Sequence, residues 1–588
     1  MTTSQAAALT GNKMDPHPLG SDAQILLTSI FGPYAQDDEF GSRKINPMEL
    51  YHNQVTREQG PFSLRMFHRS FGLMLIQANL EAPCTLLDFP TRERFIEEIT
   101  KHHYDVVGIS GIMPNLLKVK TMCQLVREHA PHAKVVVGGH IANVPFLDRM
   151  IDADYIVKGD GVRWFRQYLG QPLETPINHP VSLSAFGTRT LGFNLKSDDK
   201  NTAAILLPSV GCPMGCNFCS TSHMFGGKGK FINFYETGDE LFSIMCQIEE
   251  KLKVRSFFAM DENFLLHRQR VLRLLELMEE HKKSWALYVF SSARVIKTYT
   301  IDQLVRLGIS WVWMGLEGKN SQYAKLTGIH TPDLIRELQS HGIRVLGSSI
   351  VGLETHTPEN FDAVIDWAVS HDTDFHQFML YTPIPGTPLY EEHKKKGDLL
   401  PQEELPYNDS HGQFRFNYRH RAIPPGKETE LLRNAFRRDF EINGPSIARM
   451  IRTTLAGWKR YKAHVSERIR KRYEWEARSL AVTFAGAIWA MKKWYRKDRH
   501  MKEKLNGIFK DLRREFGWRT GILSRLIGGI EYAALKREAK RLAKGWTYEP
   551  PTICEKNERA LKLLGLSQKQ LRKLLIRRAL CVRVKPIT

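Results

Sequence analysis

No run of about 18 consecutive apolar residues occurs in this chain, so a membrane-crossing helix is not expected. The opening stretch from Met1 to Ser21 has one lysine, Lys13, and no apolar block behind it, which is not the pattern of a secretory signal. The chain is therefore expected in the cytoplasm, where thiols stay reduced. Eight cysteines in 588 residues are too few for a disulfide scaffold. Internal repeats and low-complexity tracts are also missing, which argues against a solenoid or a disordered chain. What is present is a globular balance, 42% apolar and 25% charged, at a length that calls for about three or four domains.

Acidic residues are scarce at one end only. From Ser446 to Thr588 the chain has 37 Lys and Arg against 12 Asp and Glu, whereas the first 445 residues have 47 against 51. A near-neutral body that holds the chemistry and a basic appendage are expected.

Strands and helices alternate along the body. Apolar strand runs at 104–110 (YDVVGIS), 133–139 (AKVVVGG) and 153–157 are separated by helical spacing at 91–102 and 116–129. This predicts a doubly wound parallel sheet whose ligand lies beyond the carboxyl ends of the strands. Those ends carry Gly108-Ile109-Ser110-Gly111, Gly138-Gly139-His140 and Gly159-Asp160-Gly161, which suit either close approach of a ligand or plain turns. Residues 1–66 read as an irregular lead-in, and the proline-containing stretch 176–200 as a linker. Six further strands follow at 203–208, 256–260, 286–291, 311–316, 345–351 and 375–381. Six βα units fall short of a closed eightfold barrel, so 201–400 is expected to be an open, partial TIM-type barrel with its site at the carboxyl ends. Residues 401–588 are expected to form a mostly helical basic extension.

Five cysteines, Cys84, Cys123, Cys246, Cys554 and Cys581, are scattered and read as small buried hydrophobes. Cys212, Cys216 and Cys219 stand instead in C-x3-C-x2-C spacing on the glycine-bearing loop after the first barrel strand. Three thiolates so close can share one metal centre. A structural zinc site wants four ligands, often as paired C-x2-C knuckles, and no second knuckle exists. A cubane iron–sulfur cluster held by three cysteines leaves one iron open for a small molecule. His223 is near enough to offer a fourth ligand, but a lone loop histidine is more often polar surface.

The C-x3-C-x2-C loop, with Phe218 before its third cysteine, resembles the radical S-adenosylmethionine (SAM) superfamily. The resemblance implies that Cys212, Cys216 and Cys219 hold a [4Fe-4S] cluster whose open iron chelates SAM. Reductive cleavage of SAM then gives a 5′-deoxyadenosyl radical that abstracts hydrogen. It further implies SAM contacts at the strand ends, with Asp261 or Glu262 receiving the ammonium and Arg294 the carboxylate. Glu317 would meet the ribose hydroxyls, and the strand holding Ile350 and Gly352 the adenine, with Phe218 beside the cluster. The first domain, 67–175, resembles the flavodoxin-like cobalamin (B12)-binding domain fused to a class of these enzymes, which implies Ser110, Gly138 and Gly139 near the cofactor's nucleotide tail. The Asp-x-His-x-x-Gly signature of domains that supply a histidine ligand is absent between Asn79 and Arg92. The implication is cobalamin bound without a protein imidazole, or a domain that has lost it.

Together these imply a cobalamin-dependent radical SAM methyltransferase acting on an unactivated carbon of a small-molecule or lipid substrate, with a flavodoxin or ferredoxin as reductant. The alternative is a radical rearrangement, cyclisation or oxidation without methyl transfer; a non-catalytic cluster-binding protein is a third reading. In the tail, Ile469, Tyr473, Ala477, Leu480, Phe484, Ile488, Met491 and Tyr495 recur at helical spacing across 466–497, amid basic residues and beside Trp489 and Trp494. This stripe suits peripheral contact with the inner face of an anionic membrane or packing on the barrel. Nucleic acid is not expected, because no RNA-binding module is recognisable.

Overall fold

The structure, a computed structural model, describes residues 15–30, 50–318, 323–545, 552–563 and 565. Cys581, parts of the lead-in and the end of the tail lie outside the described residues.

The first sheet contains β1 (Ile25–Thr28), β2 (Cys84–Asp88), β3 (Val106–Ser110), β4 (Lys134–Gly138) and β5 (Tyr155–Ile156), parallel throughout in the order β2-β1-β3-β4-β5. This is the flavodoxin-like arrangement, with its switch point between β1 and β3. Helices cover both faces, so the central strands are buried on both sides; every residue of β1 and β2 is buried, Thr28, Thr85 and Asp88 included. The central strand β1 corrects the reading of 1–66 as irregular, because a strand of four residues is too short to leave a periodic signal. The stretch 176–200 is also more than a linker: Ala185–Thr190 and Phe193–Leu195 form a hairpin that adds to Arg65–His68 as a three-stranded antiparallel sheet.

The second sheet runs β6 (Ala204–Leu206), β7 (Ser256–Ala259), β8 (Ala286–Phe290), β9 (Ile309–Glu317), β10 (Arg344–Val351) and β11 (Phe375–Leu380), all parallel and in chain order. This is the expected open, partial barrel. Its crossover helices are well started. Thr237 with Glu240, and Thr300 with Gln303, form complete capping boxes that satisfy the first free amides of Gly238–Leu252 and Ile301–Leu307. A further strand, β12 (Ile553–Lys556), comes back from the tail and pairs antiparallel with β2 at the edge of the first sheet. The expectation of a helical tail did not include it.

The tail forms α1 (Lys427–Asn443), α2 (Ser446–Tyr461), α3 (Glu467–Ala477), α4 (Ala485–Trp494), α5 (Arg499–Phe516) and α6 (Trp518–Ala543). The stripe read across 466–497 is broken between α3 and α4 by a short π-helical turn, Leu480–Phe484. Ile469 and Tyr473 face Val305 and Tyr461, while Ala477, Leu480, Ile488 and Met491 join a core with Ile451, Leu505 and Leu512. That stripe is a packing face, which removes it from membrane contact. Several basic groups of the tail are also spent on the barrel. Arg468 donates to the carbonyl of Arg306 at 2.6 Å, Arg472 to that of Val305 at 2.9 Å, and Arg449 to that of Thr373 at 2.7 Å. Glu476 pairs with buried Arg344 at 2.8 Å. These carbonyls precede the strands, so the tail grips the amino-terminal end of the barrel and leaves the carboxyl end free. No helix among the described residues is long and apolar enough to cross a membrane.

Candidate active site

Past β6 the chain makes a short bridge, Ser209–Val210 with Ile232–Asn233, and the cysteine loop lies between its two arms. Gly215 has φ +63°, and a Cβ there would lie 2.7 Å from Cα and 2.9 Å from N of Lys228, so only glycine lets the loop cross the 226–229 glycine turn. The loop is pinned along its length. Ser222 donates to the carbonyl of Cys212, the amide of Cys219 to the carbonyl of Cys216, and the amide of Leu389 to the carbonyl of Asn217. The His223 ring is bonded to the carbonyl of Cys216 at 3.1 Å, which engages it as loop support and not as a fourth ligand.

All three thiols are half-buried, and burial raises each pKa, that of Cys212 to about 11. Cys212 is pushed further by the charges of Cys219 and Cys216, so the sulfurs sense one another. Yet among the described residues no three His, Cys, Asp or Glu come together closely enough to hold a single metal ion. Zinc at about 2.3 Å from each sulfur would draw the thiolates tightly together; a multi-iron cluster accepts three donors set wider apart. Three thiols on one short loop, with no fourth protein ligand beside them among the described residues, are the donor set of a cluster that leaves one iron open. Lys325 lies over the Phe218 ring at 5.3 Å, and its charge acts against burial at Cys216 and Cys219. Its partner is the buried carboxylate of Glu317. Glu317 is thereby committed to an ion pair beside the loop, at a positive φ of 57°.

The two carboxylates after β7 differ sharply. Asp261 is saturated: it accepts from Ser209 at 2.5 Å, from the amide of Asn263 at 3.0 Å and from fully buried Arg270 at 2.9 Å. Glu262 is half-buried with its Oε2 enclosed and unpartnered, and burial, with the charge of Asp261 adding to it, raises its pKa to about 7. Asn263 ties the elements together, donating to the Met214 sulfur at 3.3 Å and accepting from Ser291 at 3.0 Å. Arg294, on the short helix Ala293–Ile296, is exposed. Ile350 is half-buried in β10 in register with Met379. The amide of Gly352 donates to His356 at 3.0 Å and its carbonyl accepts from Tyr418 at 3.3 Å, so its backbone is already engaged.

A cavity of about 700 Å³ opens between the carboxyl ends of the two sheets. Ser110, Gly138, Gly139 and His140 line it from the first sheet, and Ser209, Met260, Glu262 and Trp313 from the barrel. The cysteines, Phe218, Asp261, Arg294, Glu317, Ile350 and Gly352 stand outside its lining. Gly139, at φ +83°, lets the turn fold against Ser110 and Gly111, where a Cβ would come within 2.6 Å of the Gly111 carbonyl. His140 brings an Nδ1 that is buried and without a partner, and burial keeps the ring neutral by lowering its pKa. Sequence reasoning passed over His140, whose only signal was its place after the glycine pair. An unpartnered imidazole nitrogen on one wall and an unpartnered carboxylate oxygen on the other fit a large, partly polar cofactor.

The B12-binding domain family model matches residues 63–169 and the radical SAM superfamily model residues 206–368. An uncharacterized methyltransferase, PH0819, of Pyrococcus horikoshii is 25% identical over 327 residues, 50% of this chain and 70% of that protein. Bacteriochlorophyllide d C-12(1)-methyltransferase of Chlorobaculum tepidum is 28% identical over 198 residues, 32% of this chain and 42% of that protein. The anaerobic magnesium-protoporphyrin IX monomethyl ester cyclase of Rubrivivax gelatinosus is 24% identical over 354 residues, 52% and 62% of the two chains. The chain thus joins a B12-binding domain to a radical SAM domain, the two facing each other across a shared cavity, and domains of these two families take cobalamin and a [4Fe-4S] cluster with SAM.

Proposed function

We propose that this enzyme transfers a methyl group to an unactivated carbon of a small-molecule or lipid substrate. The observation that carries the reading is the cavity shared by the carboxyl ends of both sheets, which brings the glycine turns of the B12 domain opposite the barrel strand that follows the cysteine loop. When bound, the cluster with SAM supplies a hydrogen-abstracting radical, and the corrinoid a transferable methyl group. Cys212, Cys216 and Cys219 hold the cluster. Glu262 receives the SAM ammonium; what supports it over Asp261 is its unpartnered oxygen, whereas Asp261 braces the loop through Ser209 and Arg270. Ser110, Gly138 and Gly139 let the corrinoid approach the backbone, and His140 offers it a neutral nitrogen. The apolar remainder of the wall, such as Phe290 and Trp313, keeps water from a carbon radical. A flavodoxin or ferredoxin delivers the electron.

The decisive experiment uses anaerobically reconstituted protein, reductant and SAM labelled in its methyl group, with extracts of a strain lacking the gene as substrate source. Label should appear in a metabolite that the deletion strain holds only in a form lighter by one methylene. Production of 5′-deoxyadenosine without label transfer would instead support radical cyclisation or oxidation, the reading favoured by the likeness to a cyclase. Replacing any of the three loop cysteines by Ala should abolish 5′-deoxyadenosine, and undiminished release would refute the cluster assignment.

A further inference from the structure

Helix α6 is packed inside out. Its buried residues are mostly small or polar, Thr520, Ser524, Gly528, Glu531, Ala534 and Glu538. The reason is a glycine crossing: Gly528 lies against Gly486 of α4 so closely that a Cβ on it would come within 2.7 Å of the Gly486 carbonyl and of the Trp489 ring. Backbones this near leave little room between the helices, so that apart from buried Leu535 and half-buried Ile527 the large aliphatic side chains of 518–535 turn outward. Trp518 is 67% exposed, Ile522 51%, Leu526 65% and Ile530 59%. At four-residue spacing they form one ridge about 18 Å long. Soluble helices turn such a ridge inward, and an uncovered one marks an interaction surface.

Charge selects the occupant. Arg519, Arg525, Lys536, Arg537 and Lys540 of the same helix are exposed, while its two acids, Glu531 and Glu538, are both buried. The surface offered is therefore apolar and cationic with no exposed carboxylate on the helix. A second copy would bring like charge against like, and nucleic acid has no use for a ridge of aliphatic side chains. We propose that α6 docks the enzyme on an anionic lipid surface, with Trp518, Ile522, Leu526 and Ile530 in the headgroup–acyl boundary and the arginines and lysines reaching lipid phosphates. No described helix crosses a membrane, so the contact is peripheral. The proposal concerns where the enzyme works and stands apart from the methyl-transfer reading.

Flotation of the full-length holoenzyme with phosphatidylcholine vesicles, with and without phosphatidylglycerol, tests it. Binding is expected to the anionic vesicles, to weaken as salt rises, and to fall about tenfold or more in an L526E/I530E double variant, which takes two apolar side chains off the ridge and puts two carboxylates in their place. Both positions are exposed, so iron content and thermal unfolding should match the wild type. Bromine-labelled lipid should quench the wild type more than W518F. Failure to float with anionic vesicles, flotation of the double variant equal to the wild type, or equal quenching of W518F would overturn the proposal. So would self-association, or binding of a single-stranded RNA, that the double variant loses while flotation persists.

Discussion

Two adjacent carboxylates after β7 show how far chemistry depends on neighbours. Asp261 is locked to a fully buried guanidinium, so Asp261→Asn breaks a buried ion pair and should cost about 3–5 kcal/mol in denaturant unfolding. Glu262→Gln removes no ion pair and relieves a carboxylate that burial disfavours, so it should raise the unfolding midpoint at neutral pH, not lower it, and weaken SAM binding, measured by calorimetry, by about tenfold or more, the usual worth of a charged hydrogen bond. If Asp261→Asn were the variant that lost SAM without losing stability, the assignment would reverse. Gly215→Ala should lower the iron retained after anaerobic reconstitution, since its methyl group would collide with the Lys228 backbone. That Cys212, Cys216 and Cys219 share one loop was legible in their spacing. The difference between Asp261 and Glu262 was not legible, because it turns on Arg270, which reaches back from the next helix to engage Asp261. Arg294 was a reasonable carboxylate partner by position, but it is exposed and outside the cavity lining.

At the scale of elements, the six barrel strands were legible because buried parallel strands are written as unbroken apolar runs between helical segments. The inside-out packing of α6 was not, because its apolar spacing is that of any core-facing helix and only the Gly486–Gly528 contact reverses it. The same crossing buries Glu531, whose Oε2 has no partner and whose pKa burial raises from 4.5 to about 8. The folded state therefore holds this proton more tightly than the unfolded chain. Its contribution is fully present below pH 4.5 and is lost as pH rises through about 8. Glu531→Gln should flatten that decline, leaving the variant more stable than the wild type at alkaline pH by an amount on the order of 3 kcal/mol. Equal pH slopes in denaturant titrations of the two proteins would contradict it.

Across the whole molecule, the tail proves to be a structural clasp more than an appendage. Its arginines cap carbonyls at the amino-terminal end of the barrel, and its last described strand completes the edge of the B12 domain. Arg69, which lines the cavity, is held between Asp88 at 3.2 Å and Glu555 at 3.0 Å. Truncation after residue 545 should thus lower cobalamin retained on gel filtration and the melting temperature of the first domain while leaving the cluster intact; unchanged retention would show β12 to be dispensable. Neither β1 nor β12 could be read from local pattern, since each is four residues long and owes its place to partners distant along the chain.

The pairing of β12 with β2 also sets an order of events. Most multidomain chains finish their first domain while the ribosome is still making the next. Here Glu555 must meet Arg69, 486 positions earlier, before the corrinoid-binding sheet has its full complement of strands. The nascent first domain leaves the exit tunnel with one border unpaired, and its sheet is completed only after residues 553–556 have been made.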